Sequence, residues 1–402
     1  MSEFYYGFRE RKEILKDIIR RIHKGEDPEK VKSDFKELLK TVEPDEIAKI
    51  EEELIKEGMD RNEIQKLCEV HLLVFKESLT KKEGYDSLNP VNILMKEHEL
   101  ILKMSEELVN MLNSINDEKD FIENKEKISI LIESFKDSES HYLREENALF
   151  PTLEKYGVVE PPKIMWIEHD KIREIKKNLY ETFDKIQTKF DSNLLSELKN
   201  HSIELKNFLN SHFFKENNIL FPTANKLFKK EDFIKVKKDF DEIGYPNFLP
   251  EEFKILTKTE IIDEKKENHE INLPTGSFTL DELEAILNTL PVDITFVDKN
   301  DKVKYFSMTK DRIFVRTKAV IGRSVQNCHP QKSVHVVNKI VEEFKSGKRD
   351  SAEFWINLNG RLIYIRYFAV RKDGEYLGTI EVTQDITDIK KIEGEKRLLD
   401  WE

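Results

Sequence analysis

Cysteine is almost missing: the 402-residue chain has two, Cys68 and Cys328, far apart in sequence. Two distant cysteines do not build a disulfide framework, and they point to a reducing compartment. Long apolar runs are missing too. No stretch approaches a membrane span, and the opening MSEFYYGFRERKEIL lacks a signal-peptide core, so a cytoplasmic protein without membrane contact is expected. Basic residues are in deficit. Lys and Arg number 67 against 79 Asp and Glu, a net charge of -12, which argues against a nucleic-acid partner because phosphate contacts need clustered cations. No kinase, DNA-binding or cyclase segment is legible, so any output must run through interaction. What remains is 36% charged and 38% hydrophobic residues, a soluble and helix-leaning composition, at a length that allows two to four domains.

One stretch occurs twice. SHYLREENALFPT runs from Ser140 to Thr152, and SHFFKENNILFPT from Ser211 to Thr223, an offset of 71 residues that also carries Glu97-His98 onto Glu168-His169. Each copy has a lone His followed 43 residues later by His-x-x-x-Glu. The candidate ligands are His98, His141, Glu145, His169, His212 and Glu216. Residues four apart share a helical face, so each His-x-x-x-Glu points one way. His98 falls on a stripe with Val91, Leu94 and Ile101, and His169 lies between Met165 and Ile172. A polar ring on an apolar stripe needs a partner. One such His is commonly a hydrogen-bonded core residue. Six ligand-type residues at one offset point instead to metal: four antiparallel helices would gather four nitrogens and two carboxylates, a set that suits iron, and two carboxylates can bridge two metals.

Residues 88–228 resemble the hemerythrin-like (HHE) cation-binding family. Hemerythrins proper carry a second His one turn after the third-helix His and end with His-x-x-x-x-Asp. Here Arg173 and His212-x-x-x-Glu216 stand at those places. The chain is therefore closest to the repair-of-iron-centres branch. That resemblance implies two non-haem irons (manganese or zinc are also accepted by His/Glu sites), bound by His98, His141, His169 and His212 and bridged by Glu145 and Glu216. It disfavours reversible oxygen carriage.

Helices of the bundle are expected at about 90–113, 121–149, 161–189 and 193–219, the second and fourth ending at Phe150-Pro151 and Phe221-Pro222. His201 lies eleven residues before His212, a rise of about 16 Å, too far to share the metal. Residues 1–82 read as a helical module and resemble an uncharacterised helical domain found ahead of HHE domains. Its last helix, Glu63 to Leu79, contains Cys68-x-x-His71, either a second metal or haem pair or, more commonly, a buried Cys and a bonded His. Residues 251–278 turn charged and irregular, as a linker does. His23 and His269 sit among charges and are expected to face solvent.

Beyond 280 the period changes to two. Strands are expected at Ile294–Asp298, Val303–Phe306, Ala352–Leu358, Leu362–Val370 and Tyr376–Thr383, with Asn359-Gly360 and Asp373-Gly374 as turns and a helix from Ser333 to Ser346. FVDKNDKVKYF, Ile321-Gly322-Arg323 and the closing Thr383-Gln384-Asp385-Ile386-Thr387 resemble a PAS domain over 280–390. Cys328, His329 and His335 in QNCHPQKSVH are candidates for haem or iron in that domain, and Cys328 for a redox-sensitive thiol. Residues 391–402 read as a short helical tail.

The expected fold is therefore multidomain: an all-α N-terminal module plus an antiparallel four-helix bundle, then an α+β PAS domain with a five-stranded antiparallel sheet. The expected function is binding or sensing of O2, NO or redox state. A signalling or redox protein would be the partner, with a homodimer formed through the PAS domain and flanking helices. The alternatives are an enzyme that reduces nitric oxide or repairs iron centres, and an iron-level module.

Overall fold

The computed structural model describes residues 89–254, 270–310 and 312–397, with scattered positions between 13 and 58. It divides into two compact units, Met1–Thr257 and Lys258–Glu402. Cys68, His71, His23 and His269 lie outside the described residues.

In the first unit four long helices form an antiparallel bundle: α1 (Pro90–Ser114), α2 (Glu118–Asp137), α5 (Glu160–Thr188) and α6 (Ser192–Lys215). Each start has a local cause. Asn89 accepts from Val91 N ahead of Pro90, Asp117 from Asp120 N, and Asp191 from Asn193 N, so side chains satisfy donors the helix leaves unpaired. Along α1 the stripe Val91, Leu94, His98, Ile101, Leu108 and Leu112 is buried, as its spacing predicts. Each aliphatic residue so buried contributes about 1.5–3 kcal/mol.

The second and fourth helices do not stop at their Phe-Pro pairs. After a break at Ser138, α3 (Glu139–Arg144) runs into a π-turn, Glu145–Leu149, and on into α4 (Phe150–Lys155). Likewise α6 passes through the π-turn Glu216–Leu220 into α7 (Phe221–Leu227). Phe150 N bonds Glu145 O and Phe221 N bonds Glu216 O, each five residues back. Pro151 and Pro222 then fall in the first turn of the next segment, where a missing N–H is tolerated. Side chains of the repeat serve the disturbed ladder: Asn147 donates to Leu143 O (2.9 Å) and Asn218 to Phe214 O (2.8 Å). Thr152 and Thr223 donate to Ala148 O (2.9 Å) and Ile219 O (2.7 Å). These bonds account for the shared Asn-x-x-x-Pro-Thr lettering.

A further helix, α8 (Lys230–Ile243), was not expected; it buries Val236 and Phe240 against the same core as Leu149, Phe150, Leu220 and Phe221. Ile18, Ile50 and Leu54 belong to that core as well. A second apolar cluster, with Leu108, Leu112, Phe121, Phe183, Leu198 and Leu205, fills the other end of the bundle.

The second unit begins inside the expected linker, where β1 (Ile271–Leu273) and β2 (Gly276–Phe278) pair as a short hairpin. After α9 (Leu280–Thr289) comes a five-stranded antiparallel sheet of β3 (Asp293–Asp298), β4 (Val303–Phe306), β5 (Ser351–Leu358), β6 (Arg361–Lys372) and β7 (Glu375–Asp385), in the order β4-β3-β7-β6-β5. Helix α10 (Gln331–Lys345) is inserted between β4 and β5 and packs on β6 and β7. The expected turns hold, with Asn359 at φ 50° and Gly360 at 76° joining β5 to β6. At Gly378 a Cβ would meet Val297 O at 2.2 Å, so only glycine fits where β7 crosses β3. The tail has one short 3-10 turn, Ile389–Lys391, and no helix over 392–397, against the helix expected there. Among the described residues no helix is long and apolar enough to cross a membrane.

Candidate metal centre

The six repeat residues converge. His98 comes from α1, His141 from α3, His169 from α5 and His212 from α6, while Glu145 and Glu216 each open a π-turn. All six are at most 1% exposed. They form two sets of four whose ligand atoms lie within 4.8 Å of one another: His98, His141, Glu145 and Glu216, then Glu145, His169, His212 and Glu216. Both carboxylates belong to both sets. His98 Nε2 is 3.1 Å from His141 Nε2 and 3.3 Å from Glu216 Oε2. His169 Nε2 is 3.2 Å from Glu145 Oε2 and 3.6 Å from Glu216 Oε1, and His212 Nε2 is 3.3 Å from Glu216 Oε1.

This geometry fits a pair of cations. Both oxygens of Glu145, both of Glu216, and Nε2 of His169 and His212 are buried without a hydrogen-bond partner. Orphaned lone pairs at zero exposure are costly unless something positive binds them. Imidazole nitrogens with carboxylate oxygens are a donor set for iron, with manganese and zinc also accepted.

The charge state of the cluster without a cation follows the same logic. Burial, with Glu216 beside it, pushes the Glu145 carboxyl up to about 8. Burial acts the same way on Glu216, but His212, His169 and His98 outweigh it and hold that carboxyl well below its usual range. Burial, then His98, keeps His141 neutral, and burial lowers His212. Burial would lower His169 too, but the nearby carboxylates of Glu145, Glu146 and Glu216 raise it well above the ordinary value. Metal entry must therefore displace protons.

An outer ring aims the imidazoles. His141 Nδ1 lies 2.7 Å from Glu97 Oε2, and His212 Nδ1 2.8 Å from Glu168 Oε2. Arg144 bonds both oxygens of Glu97, and Lys215 bonds Glu168. His169 Nδ1 reaches Glu146 at 2.9 Å, and His98 Nδ1 reaches Asn217 Oδ1 at 2.9 Å. Every Nδ1 faces an acceptor, so each ring donates there and turns the lone pair of Nε2 to the centre. The ring obeys the repeat, each half bracing the other: Phe221 stacks on His98 and Phe150 on His169. Arg173, at the place where hemerythrins carry an additional His, bonds Glu146 and Glu139 instead. Sequence reasoning missed the outer ring, although Arg144 with Lys215 and Glu146 with Asn217 share the same offset.

The other candidates stand apart. His201 is partly exposed, 3.9 Å from Glu204. Cys328 and His329 do line one mainly apolar cavity, with Val297, Val303, Val337 and Ile340. His335 is exposed on α10 and does not line it, so the structure does not bring that trio together. His329 Nδ1 is held by Val325 O at 2.8 Å, and burial lowers its basicity. Cys328 is 7% exposed and its thiol faces Ser324 O, unlike the accessible thiols that oxidants reach.

Three family models match, in order along the chain: a family of unknown function, DUF438, over residues 15–81; the hemerythrin HHE cation binding domain over 89–224; and a PAS domain over 283–387. No curated protein matches. Among solved structures, a C-terminal domain from Streptococcus mutans is 31% identical, covering 32% of this chain and all of that one, with a TM-score of 0.31. The sensor region of a sensor histidine kinase is 15% identical over 24% of this chain and 40% of its own, with a TM-score of 0.19.

Proposed function

We propose that this chain, a hemerythrin HHE bundle followed by a PAS domain, is a cytoplasmic non-haem di-iron sensor of O2, NO or redox state. The observation that carries the reading is the pair of buried four-residue sets sharing Glu145 and Glu216, with their oxygens unpartnered. Iron bound there supplies a redox-active centre with affinity for diatomic gases. The residues do the rest. Four Nδ1 bonds fix the rings, apolar clusters on either side exclude water, and six side chains divided between two metals leave coordination positions for a small ligand. The PAS unit would relay the change to a protein partner. Its edge strand β5 exposes Phe354, Trp355 and Ile356, an apolar surface suited to a second copy of the chain.

Metal analysis and an optical spectrum of anaerobically purified protein, for wild type and for Glu145→Ala/Glu216→Ala, test this. Two irons per chain, with the charge-transfer bands of the oxidised form lost in the double variant, support the reading; a protein that never takes up metal sinks it. A Soret band would instead direct attention to the cavity at His329. The same open positions favour a second reading, an enzyme that reduces NO or donates iron to damaged centres. Catalytic consumption of NO with a reductant would select the enzyme, and stoichiometric binding the sensor.

A further inference from the structure

The outer bonds of the two halves follow one plan, and at one pair of positions the acceptor changes charge. Glu97 and Glu168 occupy equivalent places, both are carboxylates, and each is held by a cation, Arg144 or Lys215. At the remaining pair the distance is again the same, 2.9 Å in both halves, but the acceptor differs. His98 donates to a neutral amide, Asn217, and His169 to a carboxylate, Glu146. Positions 146 and 217 are themselves related by the offset of 71, so the backbone presents both side chains alike and only the charge changes.

Arg173 shares its charge between Glu146 and two other acids. Its guanidinium is divided among Glu146 (2.8 Å), Glu139 (2.7 Å) and Asp170 (3.6 Å), and its side chain is 27% exposed. Arg144, by contrast, is wholly buried on Glu97.

A carboxylate accepting from Nδ1 makes an imidazole a stronger donor at Nε2, and outer partners of this kind change metal affinity about 10–100-fold. We propose that the two sites are inequivalent: the cation between His169 and His212 is bound first and more tightly, with Glu146 as the positioning residue responsible, while the His98–His141 site fills second. This rests on the two-metal reading above. It gives the centre a state with one metal resident and one exchangeable.

The test is titration of the metal-free full-length protein with Co2+ alone, followed by calorimetry and by the visible bands of the ion. Wild type should bind two ions in two steps about 10–100-fold apart. Glu146→Gln, which keeps shape and removes charge, should weaken the tighter step toward the other. Asn217→Asp should strengthen the weaker step by a similar factor, an outcome that damage to the fold would not produce. Two ions binding in a single step, or a gap unmoved by both variants, overturns the inequivalence and leaves the two-metal centre standing. Absence of any bound Co2+ overturns both.

Discussion

Glu97 accepts from His141 at 2.7 Å while both its oxygens lie 2.7 Å from Arg144 Nη2, with all three side chains at zero exposure. The guanidinium also lies over the rings of Phe240 and Tyr245, at 5.3 and 4.8 Å. Helix α8, which supplies Phe240, thus reaches the candidate ligand His141 through two side chains. Arg144→Leu should leave the buried Glu97 without its cation, held by His141 alone, costing about 3–5 kcal/mol in chemical denaturation. It should also weaken metal binding, read as residual metal after dialysis against a mild chelator.

Metal removal should act on one unit only. The six donors belong to the first unit, and a ligand that binds the folded state stabilises it by mass action, about 2.7 kcal/mol at one hundred times its dissociation constant. In scanning calorimetry a chelator should lower the transition of the bundle and leave that of the PAS unit where it was. A matched drop in both transitions would contradict this.

Lys176 is buried, donating to Ser138 Oγ at 2.7 Å, and burial brings its ammonium down to about 8 from 10.5. Between those values the unfolded chain keeps a proton that the folded chain has released. Stability therefore rises with pH from 8 to 10.5 and is flat in this group below 8. Lys176→Met should remove that slope and stabilise the bundle at pH 7 by on the order of 3 kcal/mol. Urea midpoints at pH 7 and pH 10 for both proteins check the sign.

Gly378→Ala should unfold or severely loosen the PAS unit, because its Cβ would sit 2.2 Å from Val297 O and 2.8 Å from the Phe296 ring. Circular dichroism of the sheet, with metal content as the control for the first unit, separates local from general damage.

The convergence of the six candidate residues was legible because duplication printed it twice: one His on an apolar stripe says little, and four His with two Glu related by one offset say a great deal. Strands and turns of the second unit were legible from period and from Asn-Gly and Asp-Gly. The π-turns were not. Phe-Pro reads as a stop, since the cost of a proline inside a helix is a local rule, whereas the slipped ladder that tolerates Pro151 and Pro222 depends on Asn147, Thr152, Asn218 and Thr223 answering carbonyls a turn away. Helix α8 was missed although Phe233, Val236 and Phe240 carry the helical spacing. His335 sits on the flank of α10 that faces solvent, outside the cavity that Cys328 and His329 line.

The slipped ladder also shows where the motif could lose a residue. Each π-turn spreads one more residue than an α-turn over nearly the same rotation. Deleting a single position between Glu145 and Pro151, or between Glu216 and Pro222, would restore ordinary winding and leave everything beyond it near its present azimuth, so Leu153 and Ala224 would keep their places in the core. The change would fall inside the turn, where Glu146 and Asn217 reach His169 and His98. A gap placed there when this chain is aligned with another would therefore mark an altered outer ring on an unchanged bundle.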